Sequence, residues 1–352
     1  MTGDAPRPAR AVISYQRAAD LVRQRTGVVI PVYLSPRVDR AAGEALLWDT
    51  ASAFCAQVGD PRRVCLSVDG SAYGADVAEQ AAAALGATLC VWPDNRGKLQ
   101  AARAGVRCLL ERGELDYVAI ADQDGDHFAN ELVNFARAAE ATATQTGAGR
   151  VLVLGQRRSR YRPMGLLRGD LEELTDRVLL DALRYHAAVQ GRPLPLAYAA
   201  LAGDVLDFHS GYKLFDRATA GDVFLGEPHQ AGVSDDCYWR HACEAVMTVE
   251  ALLAGAVLSV VTRSTFNEQP ISTFGLYDRQ ALTADMIIWP CKRLGAPAAF
   301  VRQWLCDHIP RLLLTTLAPE GEQELQQVRR LVLTAFGEDA DALPPLPRPL
   351  FV

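Results

Sequence analysis

The sequence predicts an α/β protein with a mainly parallel sheet covered by helices on both faces. Short, continuous apolar runs rich in β-branched residues recur along the first half, and Ala- and Leu-rich stretches of helical length separate them. Strands that are apolar on both sides and alternate with helices imply a parallel sheet buried on both faces. In such sheets ligands gather at the carboxyl ends of the strands.

The runs can be taken in order. Residues 14 to 25 form a short amphipathic helix, and VVIPVY (28 to 33) is a buried first strand that stops at Leu34-Ser35-Pro36. RVCLSVDG (63 to 70), ATLCVWP (87 to 93), DYVAIADQD (116 to 124) and RVLVLGQR (150 to 157) repeat the pattern, with helices expected at 41 to 57, 75 to 85, 98 to 112 and 129 to 143. Beyond 158 come an Arg-rich loop, a helix around 170 to 189, the Pro-rich link RPLPLAYAA and the segment DFHSGYKLFDR (207 to 217). The tail from 276 is helical in pattern, with Pro290, Pro297 and Pro310 as breaks, and it ends in an extended Pro-rich DALPPLPRPLFV. The organisation expected is an N-terminal extension (1 to 26), a half that carries the first five strands (27 to 157), a second half that covers the mouth of the sheet (158 to 275) and a helical C-terminal extension (276 to 352). No internal repeat is present.

Composition narrows the function. The 352 residues are 49% hydrophobic and 22% charged, with a formal net charge of −6 and basic residues dispersed along the chain, so no footprint for nucleic acid is formed. The eight cysteines include no C-x-x-C pair, and several sit in apolar runs as reduced core residues, which suggests a cytoplasmic protein. The N-terminus has no apolar stretch of signal-peptide length, and ALLAGAVLSVV (251 to 261) is too short to span a bilayer. The expectation is a soluble protein, at most in peripheral contact with a membrane.

The sharpest chemical signal is Asp122-Gln123-Asp124-Gly125-Asp126, directly after the strand YVAIA. Alternate carboxylates leaving a strand end converge where a divalent cation, Mg²⁺ or Mn²⁺, can be held and can bridge a diphosphate. An EF-hand reading fails, because positions six and twelve of such a loop would be His127 and Val133. A second signal is SVDGSAY (67 to 73), where Asp69 can accept hydrogen bonds from a base or ribose, although D-G is also a common turn. A third is the polar loop Asp94 to Arg103, in which Lys98, Arg103 and the helix amides suit an anionic ligand, or else simply open a helix.

The three signals stand in one order at three strand ends. That order resembles the family 2 glycosyltransferases of GT-A fold, whose pattern runs V-V-I-P-x-Y, D-G-S, N-x-G-K-x-x-A-x-R and D-x-D. Within that family the motifs are most similar to the dolichyl-phosphate mannose and glucose synthases. Their D-A-D-x-Q-H and D-x-x-S-G-[FY] appear here as Asp122 to His127 and Asp207 to Tyr212. The resemblance implies a metal-dependent hexosyltransferase with a nucleotide diphosphate sugar donor (a UDP-, GDP- or dTDP-sugar). It makes Asp122, Asp124 and Asp126 metal and diphosphate residues, Asp69 a nucleoside contact and Arg157 a phosphate contact.

Two departures bear on the acceptor. The chain lacks the G-x-S-K element those lipid-phosphate enzymes carry after their last strand, reading TRSTFNEQPISTFG (262 to 275), and its segment between Gln156 and Leu206 is longer. The expectation is therefore an inverting transfer to a hydroxyl acceptor, with Asp235 and Asp236 as candidate bases at a helix start that Ser234 would cap. The same pair could instead only favour that helix electrostatically. Glu250 ranks below them, and His127, His209, His229 and His241 form no zinc signature. The Arg157, Arg158, Arg160, Arg162 and Arg168 cluster suits phosphate, and could act as a lid that orders on donor binding. The alternatives are a polyprenyl-phosphate glycosyltransferase and a catalytically silent sugar-nucleotide binder. A nucleotidyltransferase is disfavoured because VVIPVYLSPRVDR has no Gly-rich loop.

Overall fold

A computed structural model describes residues 12–199, 205–266, 278–339 and 345. The terminal DALPPLPRPLFV segment and most of the 262 to 275 stretch lie outside them, apart from Pro345 and residues 262–266.

The first five strands form where the apolar runs predict them: β1 (Thr26–Val32), β2 (Val64–Asp69), β3 (Thr88–Trp92), β4 (Tyr117–Ile120) and β5 (Val151–Arg157). The helices between them are α1 (Tyr15–Arg25), α2 (Arg40–Val58), α3 (Ala75–Leu85), α4 (Lys98–Arg112) and α5 (Leu132–Thr146). Local chemistry starts several of these. Ser14 accepts from the Arg17 amide at the head of α1, and Asp39 accepts from the amides of Ala41 and Ala42 at the head of α2.

The second half departs from the sequence expectation in three places. The Arg-rich segment is helical, folding into α6 (Tyr161–Met164) and α7 (Leu166–Val189), parted by Gly165 at φ 75°. Lys213–Asp216 is a strand, β6, and Asp216 then caps α8 (Arg217–Leu225). Pro290 does not break the tail. It lies inside α10 (Arg279–Arg293), where its missing N–H falls close to the helix end and removes only one internal bond. Pro297 and Pro310 do stand at element boundaries, the first capping α11 (Ala298–His308) and the second in a 3₁₀ turn. The remaining elements are α9 (Cys243–Leu253), β7 (Val257–Arg263), α12 (Leu314–Leu317) and α13 (Gly321–Ala335).

The seven strands make one sheet in the order β3-β2-β1-β4-β6-β5-β7. β1 runs parallel to both β2 and β4, and β5 parallel to β7, whereas β6 is antiparallel to both of its neighbours. Alternate strand residues feed two cores. Val28, Ile30, Leu66 and Ala119 pack towards the face that carries α1, α2, α3 and α5. Val29, Cys65, Val118 and Ile120 pack towards the face that carries α4, α7, α9 and α10. Pro31–Val32, Asp69 and the Asp122 loop therefore leave neighbouring strands at one edge of the sheet.

Candidate active site

At that edge lies a cleft of about 300 Å³, lined by the ends of β1, β2 and β4, the head of α4, Gly211 and the head of α9. Its floor is built around Asp122. The Lys98 ammonium is 2.5 Å from Asp122 Oδ1 and 2.7 Å from Glu244 Oε1. Burial opposes the charge on Lys98, but the two carboxylates win and raise its pKa well above the usual lysine value. Burial would raise the Asp122 pKa, yet Lys98 holds it below the usual carboxylate range, and Glu244 is lowered in the same way.

His127 fixes the turn after β4. Its Nδ1 accepts from the Asp122 backbone N–H at 2.8 Å, so the ring proton sits on Nε2, which faces Asp122 Oδ2 at 3.8 Å. Burial lowers the His127 pKa well below its ordinary value, and the neutral ring stacks on Tyr212 at 4.8 Å. Gly211 comes from the loop before β6, and a Cβ there would overlap the Asp122 carboxylate and lie 3.0 Å from its Cγ. Only glycine lets that backbone approach.

Asp124 also lines the cleft and lies within electrostatic reach of Arg168. Asp126 lines the cleft too, and its carboxylate accepts from Arg263 at 3.1 Å and from the Phe266 amide at 2.8 Å. Among the described residues no three His, Cys, Asp or Glu side chains are gathered as a metal-holding group. All three expected carboxylates thus border the cleft, with Asp122 paired to Lys98 and Asp126 also holding the loop to the end of β7. Such carboxylates fit a hard cation of the Mg²⁺ or Mn²⁺ type, which takes one or two protein carboxylates and fills its remaining positions with water and substrate phosphate.

Asp69 closes the other side of the cleft. Its carboxylate accepts from the backbone amides of Arg96 and Gly97, both at 2.8 Å, and burial raises its pKa. Asp69 thereby shapes the loop that delivers Lys98. Gly97 adopts φ 130° and packs where a Cβ would overlap the Trp239 carbonyl.

Several expected residues are placed away from the cleft or are already engaged. Arg103 donates to the carbonyls of Gly226 at 2.8 Å and Val223 at 3.5 Å, tying α4 to α8. Arg157 borders the cleft, but its guanidinium is buried against Asp207 at 2.5 Å and Glu172 at 2.7 Å, and these carboxylates overcome burial to raise its pKa. Asp235 and Asp236 are 63% and 72% exposed and do not line the cleft; they pair with Arg96 at 3.4 Å and Arg240 at 2.9 Å. Ser234 does accept from the Cys237 amide, but the turn that follows is the wide π type. Glu250 is held by Arg293 through two bonds of 2.7 and 2.9 Å.

Several residues that sequence reasoning did not single out belong to the cleft, among them Glu244, Arg263 and Cys243. His241, considered there only as an isolated histidine, lines the same cleft. Its Nδ1 is 2.6 Å from Asp285, which sets the Nδ1–H tautomer and turns Nε2 into the ring's lone pair. The one cue in the sequence was the CEAV of a helix start, which reads equally as an ordinary helix face.

The strand order, with one antiparallel strand inside an otherwise parallel sheet and carboxylates at the end of its central strand, defines an α/β fold of GT-A type. Crystal structures of glucosyl-3-phosphoglycerate synthase from Mycobacterium tuberculosis share it. The complex with Mn²⁺, UDP-glucose and glycerol 3-phosphate superposes with a TM-score of 0.51 at 18% identity, covering 83% of this chain and 88% of that one. The complex with Mn²⁺, UDP-glucose and phosphoglyceric acid gives 0.51 at 18% identity, covering 82% and 87%. The complex with Mg²⁺ and UDP gives 0.50 at 17% identity, covering 82% and 86%. No protein-family model matches the chain, and no curated protein sequence matches it significantly.

Proposed function

We propose that this protein is a metal-dependent glycosyltransferase that takes a hexose from a nucleotide diphosphate sugar and passes it to a hydroxyl acceptor. The observation that carries the reading is the meeting of Asp122 and Asp124, from the end of β4, with Asp69 and Lys98 in one cleft at the carboxyl edge of the sheet. The fold supports it, and so does the presence of UDP-glucose with Mn²⁺ in the mycobacterial synthase. UDP-sugars are accordingly the first donors to test. The order of motifs supports membership of family 2.

Each residue then has a task. Asp69 holds the Arg96–Gly97 backbone against the nucleoside side of the cleft. Asp122 and Asp124 would hold the cation, which would supply positive charge to offset that on the departing diphosphate. Lys98 and Arg168 offer further positive charge to the phosphates, and Gly211 keeps Asp122 in place. Since Asp235 and Asp236 stand outside the cleft, they are not assigned the base, and the stereochemical course is read from the anomeric configuration of the product. Among the described residues no helix is long and apolar enough to cross a membrane. We place the protein in the cytoplasm, where its eight thiols would be reduced in the absence of an oxidant.

Thermal denaturation with UDP-, GDP- and dTDP-glucose, each with and without Mn²⁺, tests the reading. One donor is expected to stabilise the protein in a Mn²⁺-dependent manner, and Asp124→Ala to remove that dependence. Failure of every donor to bind with either Mn²⁺ or Mg²⁺ would overturn it. Binding without turnover of donor, across saccharide and small-metabolite acceptors and a polyprenyl phosphate, would mark a silent binder instead.

A further inference from the structure

Away from the cleft, the face of the sheet beneath α4 carries a cluster of three thiols. β2 and β3 pair in parallel with Cys65 opposite Thr88 and Ser67 opposite Cys90. With side chains alternating along each strand, all four residues point to the same face. That face is covered by α4: Ser67 Oγ donates to the Ala101 carbonyl at 2.7 Å, and Arg112 Nη1 donates to Thr88 Oγ1 at 3.1 Å. Gly105 lets the helix press close, since a Cβ there would lie 3.1 Å from Ser67 Cβ and would overlap Val29. Cys108 is one turn from Arg112 on the same helix, so the run of α4 from Ser67 towards Thr88 carries it over Cys65, close enough for each thiol to shift the other's titration.

We propose that Cys108 and Cys65 form a peroxide-reactive dithiol that closes to a disulfide between α4 and β2. The two thiols differ in access. Cys65 is fully buried, Cys108 is only partly so, and an oxidant reaches Cys108 first. They also differ in charge. The neighbouring Cys65 thiol pulls the Cys108 pKa down, to about 6, against burial and Glu111 and with help from the Arg112 guanidinium, whereas Cys65 is raised. A thiolate at a partly open, cationic position is the reactive form.

The reaction is a two-electron oxidation of two thiols by hydrogen peroxide. The Cys108 thiolate attacks one peroxide oxygen, the O–O bond breaks, and the departing hydroxide takes a proton to leave as water and a Cys108 sulfenic acid. The Cys65 sulfur then gives up its proton and attacks that sulfenic sulfur. The S–S bond forms, the S–O bond breaks, and the second water leaves. In the product the two sulfurs lie about 2.05 Å apart.

Peptide mapping of the full-length protein tests this independently of any transferase activity. Trypsin places Cys108 in residues 108–112 and both Cys65 and Cys90 in residues 64–96. After brief treatment with hydrogen peroxide and alkylation, the 108–112 peptide is expected cross-linked to 64–96, with two of the eight thiols lost and both restored by dithiothreitol. The cross-link should persist in Cys90→Ser. It should vanish in Cys65→Ala, where dimedone should label Cys108. An unmodified Cys108, an internal bond within 64–96, or a cross-link that is lost in Cys90→Ser would each overturn the proposal. The wild-type map decides even if the Cys65 variant fails to fold.

Discussion

Replacing Lys98 with Met keeps most of the aliphatic stem but leaves Asp122 and Glu244 facing each other without a cation. Removing one partner of a buried ion pair costs about 3–5 kcal/mol. Lys98 and Asp122 are 25% and 28% exposed, so water screens part of this, and about 2–3 kcal/mol is expected. With an unfolding entropy of about 2.1 cal/mol/K per residue, a 352-residue chain shifts by about 1.4 °C per kcal/mol, giving a fall in Tm of about 3–4 °C. The sign of the pH dependence follows from the lowered pKa values of Asp122 and Glu244. Carboxyls depressed in the folded state contribute stability above their unfolded pKa values, near 4, and lose it as pH falls through the folded values. The gap between wild type and Lys98→Met should therefore be full at pH 7 and shrink below about pH 4. Circular dichroism melts without divalent cation measure it. Equal Tm values at pH 7, or a gap that widens on acidification, would refute the account.

Gly211→Ala should cut transferase turnover severely with only a modest loss of stability, because the new methyl displaces the Asp122 carboxylate; wild-type kcat in that variant would contradict the packing described. Lys213 is fully buried, donates to the Phe208 and Ser210 carbonyls, and has its pKa pushed down to about 8 by burial. Since the unfolded chain binds the proton more tightly, wild type should gain about 3 kcal/mol relative to Lys213→Met between pH 7 and 10.5, a difference seen in urea melts at the two pH values. Asp235→Asn and Asp236→Asn should leave turnover essentially unchanged, given their exposure and their place outside the cleft. A loss of about a hundredfold in either would restore the pair as the base.

The early strands were readable because each is a continuous apolar run, so burial on both faces writes itself into composition. β6 was not: KLFD is four residues long, opens with a charge and closes with a helix cap, and its partners are remote in sequence. The carboxylate triplet was readable as a site but not in its geometry. Gly125 at φ 80° turns the chain, so that Asp126, while bordering the same cleft, is tied to Arg263. Glu244 could not be recognised, because its meaning depends on Lys98, 146 residues away. Arg157 stands where a phosphate contact was expected, but the long excursion after β5 brings back Glu172 and Asp207 to occupy it.

The antiparallel strand also has a consequence for how the chain is made. β3, β2, β1 and β4 hold together through their own pairings, and β5 pairs with β7; among the described residues the strand pairing that joins these two pieces runs through the four residues of β6. During synthesis β4 emerges nearly a hundred residues before β6, so one of its edges waits with unpaired amides and carbonyls. An open strand edge of this kind invites pairing with another chain. The short β4, flanked by Asp116 and Asp122, limits that hazard, and β6 then acts as the keystone that turns two incomplete sheets into one. Termination before Lys213 should leave an aggregating fragment, not a smaller folded domain.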